Sequence, residues 1–301
     1  WPPAPLEWTP KPCATDNGTK MTGTPAAIAQ VARDSGTSFY WAMRLLPRVK
    51  REAMYAVYAF CREVDDIADG TLDPDSKLKE LGRWREELEQ LAQGRPSHGI
   101  TRALVQPMAQ FQLAKEDFLC IIEGMEMDAG DRLRIADMEE LALYCDRVAC
   151  AVGRLSTRVF GIEGDAAWDL AKSLGEALQL TNILRDVHED AERDHVYLPA
   201  DLLVRHGIHE SGAMAIASHP ALAGACQELA HLAEQRYTET EEILKQLDRV
   251  KVRPALIMKA VYHRLLKRLQ AGGWLDVKQR MRISNLEKLT IAASAVLFSR
   301  L

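Results

Sequence analysis

Two acidic clusters set inside apolar helical sequence constrain this chain more than any other feature. Asp65-Asp66-Ile67-Ala68-Asp69 follows the apolar run from Ala53 to Cys61, and Asp186-Val187-His188-Glu189-Asp190 follows the run from Ala177 to Leu184. In an α-helix, residues four apart share a face and lie about 6 Å apart along the axis. Asp65 with Asp69, and Asp186 with Asp190, therefore each present a pair of carboxylates. Such pairs repel unless a cation lies between them. Charged residues make up 27% of the chain, so a single acidic run could simply be a solvated helix face. Both flanks are too apolar for surface helices, so the carboxylates are expected to face a pocket. Mg²⁺ suits that setting, because it prefers carboxylate and water oxygens completed by substrate phosphates. Two such faces across one cavity would hold a diphosphate and assist its departure.

Apolar positions recur at spacings of three and four almost everywhere, and strand-type alternation is scarce, so the chain is expected to be all-α. At 301 residues and 47% hydrophobic, it can build a large core. Its formal net charge of -5 argues against an extended nucleic-acid surface. The six cysteines form no CxxC pair and read as small core residues of a reducing compartment. No run is long and apolar enough to span a bilayer, and no secretory signal is apparent, so a cytoplasmic location is expected.

Residues 1–24 are rich in Pro, Thr and Gly and are expected to form a disordered extension, leaving residues 25–301 as one helical domain without repeats or linkers. Helices are predicted over Ala26–Arg44 (interrupted near Gly36), from Pro47 to Gly70, Leu78–Gln93, Thr101–Gln112, Glu116–Met127, from Asp137 to near Gly161, Ala166–Asp190, Pro199–His206, Ala221–Leu247, Ala255–Gln270 and, more weakly, Leu286–Phe298. Gly70 reads as a C′ residue, and Asp137-Met138-Glu139-Glu140 has capping-box spacing.

On the first acidic helix Tyr58, Arg62, Asp65 and Asp69 share a stripe. The Arg62 guanidinium can grip a diphosphate oxygen in its fork; an ordinary ion pair with Asp65 or Asp66 is the plainer alternative. On the second, Gln179, Asn182, Asp186 and Asp190 form a matching stripe, with Asn182 adding a neutral oxygen one turn before Asp186. Between them in sequence lies Tyr144-Cys145-Asp146-Arg147-Val148-Ala149-Cys150-Ala151-Val152-Gly153. Its small residues allow either close helix packing or room for a bulky apolar ligand.

Together these segments resemble the squalene and phytoene synthase family, which joins two allylic diphosphates head to head. The resemblance covers about residues 36 to 272. It rests on Ser38 through Pro47, Tyr58 through Asp66, Tyr144 through Gly153, and Gln179 through Asp190, in that order. Phe39 through Arg44, Gly124 through Asp128, Asp146 through Arg154 and Pro254 through Met258 bring the likeness nearest to the bacterial presqualene diphosphate synthases of the hopanoid route. The resemblance implies an isoprenoid synthase fold, a single helical domain around a central cavity, and condensation of two farnesyl diphosphates to presqualene diphosphate with release of diphosphate.

It further implies a cluster of two or three Mg²⁺ ions held by Asp65, Asp66, Asp69, Asn182, Asp186 and Asp190, without NADPH. Arg62 and the four aspartates Asp65, Asp69, Asp186 and Asp190 would act in catalysis with Tyr144, which would position proton loss. Ser38, Phe39, Tyr58, Arg62 and Val148 would contact substrate. Gln179, Asn182, Arg185, His195 and Tyr262 would do so too, and small residues near Gly153 would line the apolar tunnel. His195 stands where the family usually carries Arg or Lys, two positions before the Tyr of the Tyr197-Leu198-Pro199 segment, and imidazole is the weaker, pH-dependent cation. Alternatives are a phytoene synthase using geranylgeranyl diphosphate, a complete NADPH-dependent squalene synthase, or a metal-less helical lipid-binding or assembly protein. Contact with a membrane is expected to be peripheral, and downstream isoprenoid enzymes are candidate partners.

Overall fold

The computed structural model describes residues 24–34 and 38–274, together with 281, 283, 284, 287, 288, 290, 291 and 294. All but the last residue of the predicted extension lies outside these residues. So does much of the predicted Leu286–Phe298 helix, although 287, 288, 290, 291 and 294 are helical.

The helices are α1 Pro25–Asp34, α2 Ser38–Arg44, α3 Arg48–Asp69, α4 Pro74–Ala92, α5 Gly99–Phe111, α6 Lys115–Asp128, α7 Met138–Cys145, α8 Ala151–Phe160, α9 Asp165–Glu192, α10 Ala200–Arg205, α11 Ala213–Ala217, α12 Leu222–Lys245 and α13 Arg253–Ala271. A π-helical turn, Asp146–Cys150, joins α7 to α8 without a break. Two short strands, β1 Leu133–Arg134 and β2 His195–Val196, pair in parallel. The fold is all-α in the expected sense.

Local chemistry explains most boundaries. The Asp137 side chain accepts from the backbone N–H groups of Glu139 and Glu140, starting α7. Asp73 caps α4 by accepting from Ser76, with Pro74 at the first helical position, so that helix starts a turn before the predicted Leu78. Gly70 is extended (φ -66, ψ 172) rather than left-handed, so α3 ends without the expected C′ glycine turn.

Two hydrophobic clusters share α9. One gathers α1, α3–α6, α8 and the start of α9; the other gathers α7, the rest of α9 and α10–α13. Phe39, Val148 and Leu178 are half-buried and pack against both, marking the seam between them. The small residues of the central segment serve close packing. A Cβ on Gly153 would lie 2.9 Å from the Ala171 carbonyl oxygen, and one on Gly175 would lie 2.9 Å from the Cys150 Cα. Gly153 is therefore spent on seating α8 against α9, and it is not tunnel lining.

Candidate active site

The acidic clusters lie near the C-terminal ends of α3 and α9, linked by a cation between them. On α3, Arg62 spans two carboxylates: Nη1 donates to Asp65 Oδ2 at 2.8 Å, and Nη2 pairs with Asp66. Asp66 is exposed and committed to this pair. On α9, the Arg185 guanidinium grips the adjacent Asp186 carboxylate, with Nε 2.7 Å from Oδ1, and Tyr262 of α13 hydrogen-bonds to Arg185. The link across the site is Arg193, the residue that closes α9. Its Nη1 pairs with Asp69 of α3, and its Nη2 lies 3.5 Å from Asp190 Oδ1.

This arrangement corrects the expectation for His195. The chain takes a left-handed conformation at Asp194 (φ 57), which Asp tolerates better than most residues, and Asp194 is held by an ion pair to Arg134. Arg193 pairs with the carboxylates, while His195 enters the core at 6% exposure. There His195 Nε2 lies 3.0 Å from the Gly130 carbonyl oxygen, its ring meets Tyr197 edge to face, and burial lowers its pKa. The cation beside the acidic clusters is Arg193, and His195 supports the β1–β2 pairing.

A further group stands in a segment that the family likeness marks, but the sequence assigns it no role. Asp128, at the end of α6, is buried and accepts hydrogen bonds from the Tyr144 hydroxyl at 3.0 Å and the Tyr197 hydroxyl at 2.8 Å. Burial pushes its carboxyl up to about 6, against those two hydrogen bonds. Its electrostatic neighbours include Asp69 and Arg193, so Tyr144 reaches the acidic site through Asp128. The three come from segments about 16 and 53 residues apart, and only the fold joins them.

Around the polar end, Phe39 and Tyr58 stack with centroids 6.3 Å apart. Gln179 accepts a 3.4 Å hydrogen bond from Asn182 Nδ2. Ser38 opens α2, but its side chain lies outside the described residues. A small cavity lined by Val187, Asp190, His195, Tyr197, Leu198 and Ile216, among others, runs beside the C-terminal part of α9.

Charge crowding is the dominant electrostatic fact. Burial and Asp186 push Asp190 up to about 8, with Arg193 opposing. Desolvation and Asp69 also raise Asp65, although 41% of its side chain still meets water, which screens the effect. Asn182 Oδ1 is buried without a hydrogen-bond partner. An oxygen-only donor set of crowded carboxylates and an unsatisfied amide oxygen fits a hard cation such as Mg²⁺. Among the described residues, no three His, Cys, Asp or Glu side chains converge closely enough to hold an ion by themselves. Mg²⁺ commonly takes one or two carboxylates and completes its shell with water and substrate phosphates.

The crowding sets a pH dependence. An unfolded aspartate titrates near 3.9, so between about pH 4 and 8 the folded chain holds more protons at Asp128 and Asp190 than the unfolded chain does. Stability then falls as pH rises through that window. Thermal unfolding without ligand should show a melting temperature lower at pH 8 than at pH 6 by about 2–6 °C, and Asp190→Asn should flatten the decline. A wild-type profile that is flat or rises with pH would refute this charge crowding.

With this geometry in place, the sequence profile of the squalene/phytoene synthase family matches residues 32–287. The presqualene diphosphate synthase of Sinorhizobium fredii is 42% identical over 256 residues, 85% of this chain and 91% of that protein. The phytoene synthase of Mycobacterium tuberculosis is 35% identical over 272 residues, 88% of each. A crystal structure of a dehydrosqualene synthase with bound ligand superposes with a TM-score of 0.80 at 28% identity, covering 92% of this chain and 96% of that one.

Proposed function

Since the chain belongs to the squalene/phytoene synthase family and is a prenyltransferase, we propose that it condenses two farnesyl diphosphates head to head into presqualene diphosphate, releasing diphosphate. The observation that carries this reading is the pair of carboxylate faces on α3 and α9, bridged by the Arg193 guanidinium. Identity supports the choice of product, at 42% to a presqualene diphosphate synthase against 35% to a phytoene synthase.

Asp65, Asp69, Asn182, Asp186 and Asp190 would hold Mg²⁺, with Asp66 at the rim. Bound there, Mg²⁺ neutralises diphosphate charge and favours its departure. Arg62, Arg185 and Arg193 supply fork-shaped donors for the diphosphate oxygens. Each is paired to a carboxylate, so binding exchanges one anionic partner for another. Phe39, Tyr58 and Val148 give the isoprenoid chains an apolar wall at the seam and keep water from the allylic cation. Tyr144 is held by its hydrogen bond to Asp128, and the hydroxyl–carboxylate pair can receive and hold the proton lost as the cyclopropane closes. Tyr197 fixes the other carboxylate oxygen. Tyr262 acts through Arg185, by its hydrogen bond.

The 35% identity to a phytoene synthase favours a second reading, in which geranylgeranyl diphosphate is the substrate. Incubating purified protein with each diphosphate and Mg²⁺, with and without NADPH, separates the two. The expected product is a cyclopropyl C30 diphosphate from farnesyl diphosphate alone, unchanged by NADPH. Turnover of the C20 substrate only, or squalene on adding NADPH, would replace the reading with one of its alternatives.

A further inference from the structure

We propose that the end of the helical bundle formed by residues 44–52 and 248–253 docks on an anionic lipid bilayer. The two segments are distant in sequence and meet over the C-terminus of α8. Lys50 Nζ donates to the Phe160 carbonyl oxygen at 2.8 Å, and Lys251 Nζ donates to the neighbouring Gly161 carbonyl oxygen at 3.0 Å. Helix C-terminal carbonyls attract cations in this way. Burial and the nearby Lys251 ammonium both lower the Lys50 pKa.

Around them the segments carry Arg44, Arg48, Lys50, Arg51, Arg249, Lys251 and Arg253, against the carboxylates of Glu52 and Asp248. Seven cations against two anions give these two segments a net charge of +5, which the adjoining exposed Glu163 and Asp165 reduce to +3, on a chain whose formal net charge is -5. Glu52 cancels Arg48 in that balance, and the pair is exposed on both sides. Apolar side chains project between the cations: Leu45, Val49 and Val250 are 43%, 49% and 59% exposed. Cations flanking exposed aliphatic tips suit the interface of an anionic bilayer, where headgroups take the charge and the acyl boundary takes the tips.

Topology orients the molecule on that surface. α3 starts here and carries Asp65 17 residues beyond Arg48, about 26 Å along its axis. α9 starts just after Gly161 and carries Asp186 21 residues beyond Asp165, about 32 Å along its axis. Both acidic clusters thus face away from the lipid, where like charge would otherwise repel them. On the function proposed above, the isoprenoid chains of the substrates would extend from the acidic end toward the membrane side; this orientation alone rests on that reading.

Flotation of the full chain with vesicles of phosphatidylcholine, with and without phosphatidylglycerol, at low and high salt, tests the assignment. The chain is expected to float with the anionic vesicles at low salt, less at high salt, and hardly at all with neutral ones. Arg48→Ser should lower the partition coefficient about fivefold, and Val49→Asp with Val250→Asp about tenfold or more. Arg83→Ser, on the exposed face of α4, should leave it unchanged. All variants should keep the wild-type melting temperature and turn over detergent-dispersed substrate normally, so failure of the docking surface is distinguishable from failure of the proposed chemistry. No flotation, flotation indifferent to lipid charge, or patch variants that float like wild type would each overturn the assignment. Binding to heparin that the same substitutions abolish, without flotation, would give the surface to a soluble polyanion instead.

Discussion

Asp186→Ala lowers turnover by about three orders of magnitude or more and leaves the helical fold in place. The loss is large because the carboxylate has two tasks. It holds Arg185 in a two-point grip, and on the proposed function it is also an Mg²⁺ ligand. Removing one preorganised electrostatic contact at a departing anion typically costs about 10²–10³ in rate, and here a metal ligand and the placement of an arginine are lost together. The fold should survive because α9 is fixed elsewhere. Thr181 and Tyr237 share a 2.9 Å hydrogen bond, Thr240 donates to Ser173 at 3.0 Å, and Gly175 seats against Cys150. Asp65→Ala should behave alike, with Arg62 keeping Asp66 as a partner. Steady-state rates across a Mg²⁺ titration, with far-ultraviolet circular dichroism on each variant, check both statements. Near-normal turnover by either variant, or by wild type in excess chelator, would remove the carboxylates from the chemistry.

Arg193→Gln should reduce kcat/KM by about 30- to 150-fold, the equivalent of a charge-assisted contact of about 2–3 kcal/mol. Much of the fall should appear in KM, because Arg193 is proposed to grip the diphosphate. The same change should lower the melting temperature of the ligand-free protein, since Asp69 and Asp190 lose the cation between them. The informative control is His195→Asn. If the imidazole is a buried support at Gly130, its replacement should cost stability and leave KM within about twofold. A raised KM in His195→Asn with a normal one in Arg193→Gln would return the diphosphate contact to His195.

Periodicity and charge spacing made the helices and both acidic faces readable, because those features are local: a carboxylate four residues from another declares its face without reference to the rest of the chain. Position across the fold was another matter. His195 occupies the place where a family pattern puts a cation, yet one left-handed residue, Asp194, turns it inward and leaves Arg193 at the site. Asp128 was hidden for a different reason. It closes a helix that already carries Glu116, Asp117, Glu123 and Glu126, so nothing local sets it apart, and its partners Tyr144 and Tyr197 arrive through a helix that starts ten residues later and a two-residue strand pairing. The short α11 lacked the length for a periodic signal, and the early start of α4 was signalled by Asp73-Pro74, a cap and first-turn proline that apolar spacing alone overlooks.

The wide turn at Asp146–Cys150 gives the segment from Met138 to Phe160 two angular settings in one continuous rod. An undistorted α-helix fixes the rotation between any two of its residues at about 100° per position, so aiming Tyr144 at Asp128 would dictate where Gly153 and Arg154 point. One extra residue in the hydrogen-bonded loop breaks that dependence. Upstream, Tyr144 is set for its carboxylate; downstream, Gly153 meets Ala171 and Arg154 pairs with Asp117 and Asp146. The turn absorbs one residue, so a deletion confined to Asp146–Cys150 that restored α-helical bonding would keep Tyr144 and Gly153 on the faces they now hold, whereas the same deletion in either flank would swing one of them about 100° off its target.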